Sequence, residues 1–178
     1  SGIQYYLLPR ERPNTHYDKS LEDHWTNVLK EYNPDIVHIH GTEYAHGLAC
    51  INACPEQRYV VSIQGLISII KDFSHSGINF WRLHRHTTLN DIKQGDTIIQ
   101  AGRKLGKRGE FEIEYIRRCE HIMGRTSWDF SHTMALNYKL QYHFCNEVLR
   151  NCFYDSPRWN IDHKQSHSIF VSKAYLPR

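Results

Sequence analysis

The sequence predicts an α/β fold in which helices surround a parallel sheet, and three observations carry that prediction. Three short apolar runs, Asp35-Ile-Val-His-Ile-His-Gly41, Tyr59-Val-Val-Ser-Ile-Gln-Gly65 and His121-Ile-Met-Gly-Arg-Thr126, are rich in β-branched residues and each ends in a polar or glycine-marked turn. Segments of helical periodicity separate them, in the alternation that right-handed crossovers require. The polar residues gather at the strand exits, and open α/β sheets bind ligands in the crevice outside those carboxyl ends. His40, Gln64, Arg125 and Thr126 are therefore expected on one rim.

Taken in order, residues 2–8 read as a strand closed by Pro9. Residues 18–32 read as a helix, with Leu21, Trp25, Val28 and Leu29 at helical spacing, and Asn33-Pro34-Asp35 ends it. After the Gly41 turn a second helix is expected, with Tyr44, Leu48 and Ile51 inward. Residues 66–108 are long for a simple crossover, and form one or two helices on an excursion from the sheet; loops of that size are commonly functional or mobile. A helix over 108–119 feeds the third run. A helix over 127–137, a short strand over 139–142 and a helix over 146–154 follow. The last run, Ser168-Ile-Phe-Val-Ser172, reads as one more strand that opens a further domain.

Composition bounds the function. A chain of 178 residues suits one ordinary domain with a real core. With 40% apolar and 12% aromatic residues it is not a disordered chain. A net charge of +3, with 13 histidines uncounted, is too weak a signal for nucleic acid, which needs a clustered basic stripe. The five cysteines include no Cys-x-x-Cys pair and are read as reduced, mostly buried thiols of a cytoplasmic protein. No apolar run approaches the roughly 20 residues of a membrane-spanning helix.

Three motifs together, Pro34-Asp-Ile-Val-His-Ile-His-Gly-Thr-Glu43, Val60-Val-Ser-Ile-Gln-Gly-Leu66 and His121-Ile-Met-Gly-Arg-Thr-Ser-Trp-Asp129, resemble the N-terminal domain of family 4 retaining glycosyltransferases. The subgroup resembled is the bacterial polysaccharide-biosynthesis type with a Gly-Arg-Thr-x-Trp-Asp motif. The resemblance implies half of a GT-B fold, a Rossmann-like acceptor domain over residues 1–165, with its Gly-rich first strand-turn missing. Residues 166–178 would begin the C-terminal donor domain. It implies a nucleotide-sugar donor as substrate, no further cofactor, and a saccharide or lipid-linked acceptor. The catalytic residues are expected in the donor domain, so this chain alone is expected to be inactive. The location implied is the cytoplasm or the inner face of the cytoplasmic membrane. A nucleotide-sugar epimerase of the same fold and a non-catalytic binding module stay open as alternatives.

The substrate-binding residues expected from the rim and the resemblance are His40, Gly41, Glu43, Gln64, Gly65, Arg125, Thr126 and Asp129. Arg125 offers a permanently charged fork of donors suited to phosphate or carboxylate, against a plainer role as ion-pair partner of Asp129 or Glu147. Gln64 stands where many such transferases carry histidine; its amide can orient a hydroxyl but cannot act as a general base. Thr126 or Ser127 is expected to cap the following helix. Glu43 suits a helix start as well as an acceptor contact. His38 shares a strand face with His40, but two histidines without a third ligand make a poor metal site, and none is expected. Glu112 and Glu120 reproduce the spacing of the family's paired glutamates by coincidence. His143 and Cys145 are not read as a nucleophile pair, since closeness in sequence supplies no orienting group. Finally, residues 73–108 interleave Phe73, Phe80 and Trp81 with basic side chains and could touch an anionic membrane, although an ordinary solvated helical face is slightly preferred.

Overall fold

A computed structural model describes residues 2–9, 15–146, 148–158, 160–164, 166, 167 and 169. Among them lie α1 (Ser20–Tyr32), β1 (Val37–His40), α2 (His46–Ala53), β2 (Tyr59–Ser62), α3 (Ile67–Phe73), α4 (Phe80–Arg85), α5 (Leu89–Gln94), α6 (Ile98–Arg118), β3 (His121–Gly124), α7 (Ser127–Leu136), β4 (Gln141–Phe144) and α8 (Asn151–Asp155). The chain divides into two compact units, Ser1–Asn146 and Glu147–Arg178. The second holds α8 and a 3-10 turn at Ile161–His163, and no residue of α8 is buried.

The first unit is a Rossmann-like α/β fold built on an all-parallel sheet of order β1-β2-β3-β4. Strands adjacent in sequence are adjacent in space. Right-handed crossovers that all step the same way bring their packed helices to one face. There α1 packs on α2, α2 on α6 and α6 on α7. Ile39, Val61 and Ile122, which align across the sheet, point into that layer and join Leu48, Ile51, Tyr115 and Ile116 in the core.

The alternate face carries two rows, His38–Val60–His121–Gln141 and His40–Ser62–Met123–His143. These side chains are exposed or half-buried. The apolar runs thus belong to strands buried on one side, although fully buried strands were expected. The reason lies in the alternation of Val37-His38-Ile39-His40, which is polar on one side at the two-residue period of a strand.

Four further expectations are corrected. Residues 2–8 form no strand: Ile3, Tyr5 and Leu7 are exposed, and Tyr6 donates to Glu31 at 3.1 Å beside Tyr32. The helix expected from residue 108 begins ten residues earlier, at Ile98, after a capping box between Thr97 and Gln100. Tyr44 stands exposed before α2 and does not line its inner face. The helix expected over 146–154 is the short α8, Asn151–Asp155. The strand expected at 168–172 lies outside the described residues.

Glycine lets α6 approach the sheet body. A Cβ on Gly109 would stand 2.8 Å from Cα of Ser68, so α3 and α6 can touch only backbone to backbone there. At the far end of α6, the Asn137 amide donates to the carbonyls of Ile116 at 3.0 Å and Cys119 at 3.2 Å. These are carbonyls that a helix end otherwise leaves unpaired.

Candidate rim site at the strand ends

Three turns leave the sheet at its carboxyl edge. After β1, Gly41 takes φ 84°, a left-handed conformation open to glycine, and its amide donates to Ser62 O at 2.9 Å. The Glu43 carboxylate fills the space that a Cβ on Gly41 would need, with the Gln64 side chain on the other side. After β3, the Arg125 guanidinium donates to Gln64 O at 3.2 Å. Gly41, Glu43, Gln64 and Arg125 are therefore brought together. His40 is exposed at the end of β1, and its ring stacks on His38 with centroids 3.9 Å apart. Gly65 is half-buried next to Ile70.

Thr126 and Asp129 are turned toward α7 itself. Thr126 caps the helix by accepting from the Asp129 amide at 3.1 Å, as expected of one of the two candidate caps. Asp129 is buried, and its carboxylate accepts from the amides of Arg125 at 3.0 Å and Thr126 at 3.1 Å. It closes the helix start and offers little to solvent.

The other two helices that start at the rim are closed as well, by side chains from α6. Neither α2 nor α3 has a side-chain cap of its own. At α2, the Tyr115 hydroxyl accepts from the Leu48 amide at 2.6 Å and donates to Tyr44 O at 2.8 Å. Burial pushes that hydroxyl's pKa well up. At α3, the fully buried Glu112 carboxylate accepts from the amides of Ile67 at 3.2 Å and Ser68 at 2.8 Å. It also accepts from the hydroxyls of Ser68 at 2.5 Å and Thr42 at 2.7 Å, which ties the first two rim turns together. Arg108 completes the frame: its Nε donates to Glu43 O at 2.7 Å, and its guanidinium lies 4.3 Å from the centre of the Tyr44 ring.

Glu112, Tyr115 and Arg108 are the residues that sequence reasoning missed. A signal existed for two of them. Glu112, Tyr115, Ile116 and Cys119 recur at the spacing of one helix face, so a carboxylate sits among apolar neighbours.

On the open sheet face, His38 Nε2 lies 2.5 Å from Ser62 Oγ, and His121 Nδ1 lies 3.1 Å from His143 Nε2. Burial, and secondly the nearby His40, lower the pKa of His38. No group of three metal-ligating side chains occurs among the described residues. His143 meets His121, whereas the Cys145 thiol contacts Asn146 O at 3.6 Å. All five cysteines are free, and only two of them, Cys50 and Cys119, are buried; Cys145 and Cys152 are exposed, against the expectation of mostly buried thiols. Burial raises Cys50 to about 11 and Cys119 to about 12, which removes thiolate at neutral pH.

The fold and the rim together define an α/β protein with a polar rim at the carboxyl ends of parallel strands. No family model, no curated protein and no solved structure matches the chain. Among the described residues, no helix is long and apolar enough to cross a membrane.

Proposed function

We propose that this chain is the acceptor-side domain of a retaining glycosyltransferase that builds a bacterial cell-surface polysaccharide. The observation that carries the reading is the convergence of Gly41, Glu43, Gln64 and Arg125 at the ends of three adjacent parallel strands. A polyhydroxylated acceptor needs both donors and acceptors of hydrogen bonds, and the Glu43 carboxylate, the Gln64 amide and the Arg125 guanidinium supply both. The filled helix starts agree with an acceptor role. An open helix N-terminus attracts phosphate, but those of α2, α3 and α7 already hold oxygens of Tyr115, Glu112 and Asp129. The half-site suits a neutral, hydroxyl-rich ligand, and the donor's phosphates would be held elsewhere in the whole protein. His40, exposed beside the rim, adds a further polar side chain within reach of the same ligand.

The test is sugar transfer by the whole protein that contains this chain, supplied with nucleotide sugars and saccharide or lipid-linked acceptors. Transfer is expected, and Arg125→Ala is expected to raise the acceptor KM about tenfold, the loss of one charge-assisted hydrogen bond of about 1.5 kcal/mol. Conversion of the nucleotide sugar to its epimer without transfer would assign the rival enzyme class. No turnover of any nucleotide sugar, with acceptor binding indifferent to Arg125→Ala, would overturn the reading.

A further inference from the structure

α4 and α5 are six-residue helices that bury almost none of their surface. Leu83 is the buried residue of α4, and no residue of α5 is buried. Helices this short are marginal in water unless something packs on them. Large apolar side chains nevertheless stand in solvent on both: Phe80 is 61% exposed, Trp81 78%, Leu89 86% and Ile92 55%. Single exposed apolar residues are ordinary, whereas a run of them on two consecutive short helices marks an interaction surface.

The charges between these side chains say what the surface fits. Arg82 and Arg85 on α4 and Lys93 on α5 are interleaved with the apolar groups, alongside His84 and His86. Against these three permanent cations stand two nearby carboxylates, of which Asp91 keeps its charge and Asp96 is paired. Asp91 accepts from the Thr88 amide at 2.8 Å in the capping box of α5, and Asp96 pairs with Lys104 at 3.0 Å. A surface that is apolar and cationic together is complementary to one that is apolar within and anionic at its boundary. Trp81 suits that boundary, because its ring is apolar and its N–H can meet a polar layer.

We infer that α4 and α5 form a docking face for an anionic lipid bilayer. Trp81 and Leu89 enter the headgroup region, and Arg82, Arg85 and Lys93 lie against lipid phosphates. This docking does not depend on sugar transfer, and its test reads neither donor nor acceptor chemistry.

Sedimentation of the chain with vesicles of phosphatidylcholine, alone or mixed with phosphatidylglycerol, is the experiment. The chain is expected to pellet with the anionic vesicles and to remain in the supernatant with the neutral ones, and added salt should release it. Arg82→Gln with Arg85→Gln should weaken the partition about 25-fold, at about fivefold for each basic side chain. Trp81→Ser should weaken it about tenfold through lost apolar burial. Far-UV circular dichroism of each variant checks that the fold is retained, and the solvent position of these side chains predicts that it is. Negligible pelleting with both vesicle types would overturn the inference, as would pelleting that ignores all three substitutions. Self-association that depends on Trp81, without vesicle binding, would overturn it in favour of a second copy of the chain.

Discussion

In the sheet body, α2 and α3 begin without capping side chains of their own and take their acceptors from α6, while in the excursion α4 and α5 carry Asn79 and Thr88 as caps and bury Leu83 alone. The difference separates two ways of holding a short helix. A tertiary cap ties a helix start to the core, so the cap, the rim turn and the packing form or fail as a unit. A local cap stabilises its own turn and transmits nothing. The first arrangement keeps the rim turns in a fixed geometry, and the second leaves α4 and α5 presenting an uncovered apolar surface.

The largest test of that contrast is Glu112→Ala. It leaves the hydroxyls of Thr42 and Ser68 and the amides of Ile67 and Ser68 without their acceptor. A loss of about 3 kcal/mol is expected in urea denaturation followed by circular dichroism. Glu112→Gln should recover only part of it, because its amide nitrogen turns a donor toward donors. If Glu112→Ala unfolds at the parental urea concentration, the carboxylate does not organise the rim.

Tyr115→Phe is a smaller version of the same test. It keeps the buried ring and removes the oxygen that pairs with Leu48 N and Tyr44 O. The expected cost is about 1.5 kcal/mol, and amide exchange should quicken at the start of α2 before it does in α7. Equal acceleration in both helices would mean that the cap acts on the whole unit and not on α2.

Thr88→Ala should have the smallest effect and sharpens the comparison from the other side. It removes a cap worth about 1 kcal/mol to α5. Exchange of amides 89–95 should rise about fivefold, while the global unfolding midpoint stays in place, because α5 buries no residue. A shifted midpoint would show that the excursion is part of the cooperative core.

Much of this was legible along the chain, and its failures have physical causes. The β-branched runs marked β1, β2 and β3, since a strand's composition depends on its pleated surroundings and its ends on local turn residues. Residues 2–8 have equal strand character, yet a strand needs a partner edge, and here Tyr6 is held by Glu31. The early start of α6 was hidden by Gly102, Gly106 and Gly109, each costing about 1 kcal/mol in a helix. Of the three, Gly109 is the one that a close backbone approach explains, since a Cβ there would stand 2.8 Å from Cα of Ser68 in α3. At the rim, Arg125 and Gln64 could be placed from strand order, and Thr126 from its capping pattern. That Asp129 spends its carboxylate on α7 depends on hydrogen bonds which the rim argument did not weigh.

By itself, the sequence determined the α/β class, the three strand exits and the helix cap at Thr126, since each depends on residues within a few positions of one another. Tertiary structure alone decided that, among the described residues, one sheet face is buried under helices and the other exposed or half-buried, and that α2 and α3 draw their caps from α6. An unpaired helix amide can be satisfied by any acceptor that packing delivers. Here packing delivers Tyr115 and Glu112 from across the fold, where no local rule could point to them.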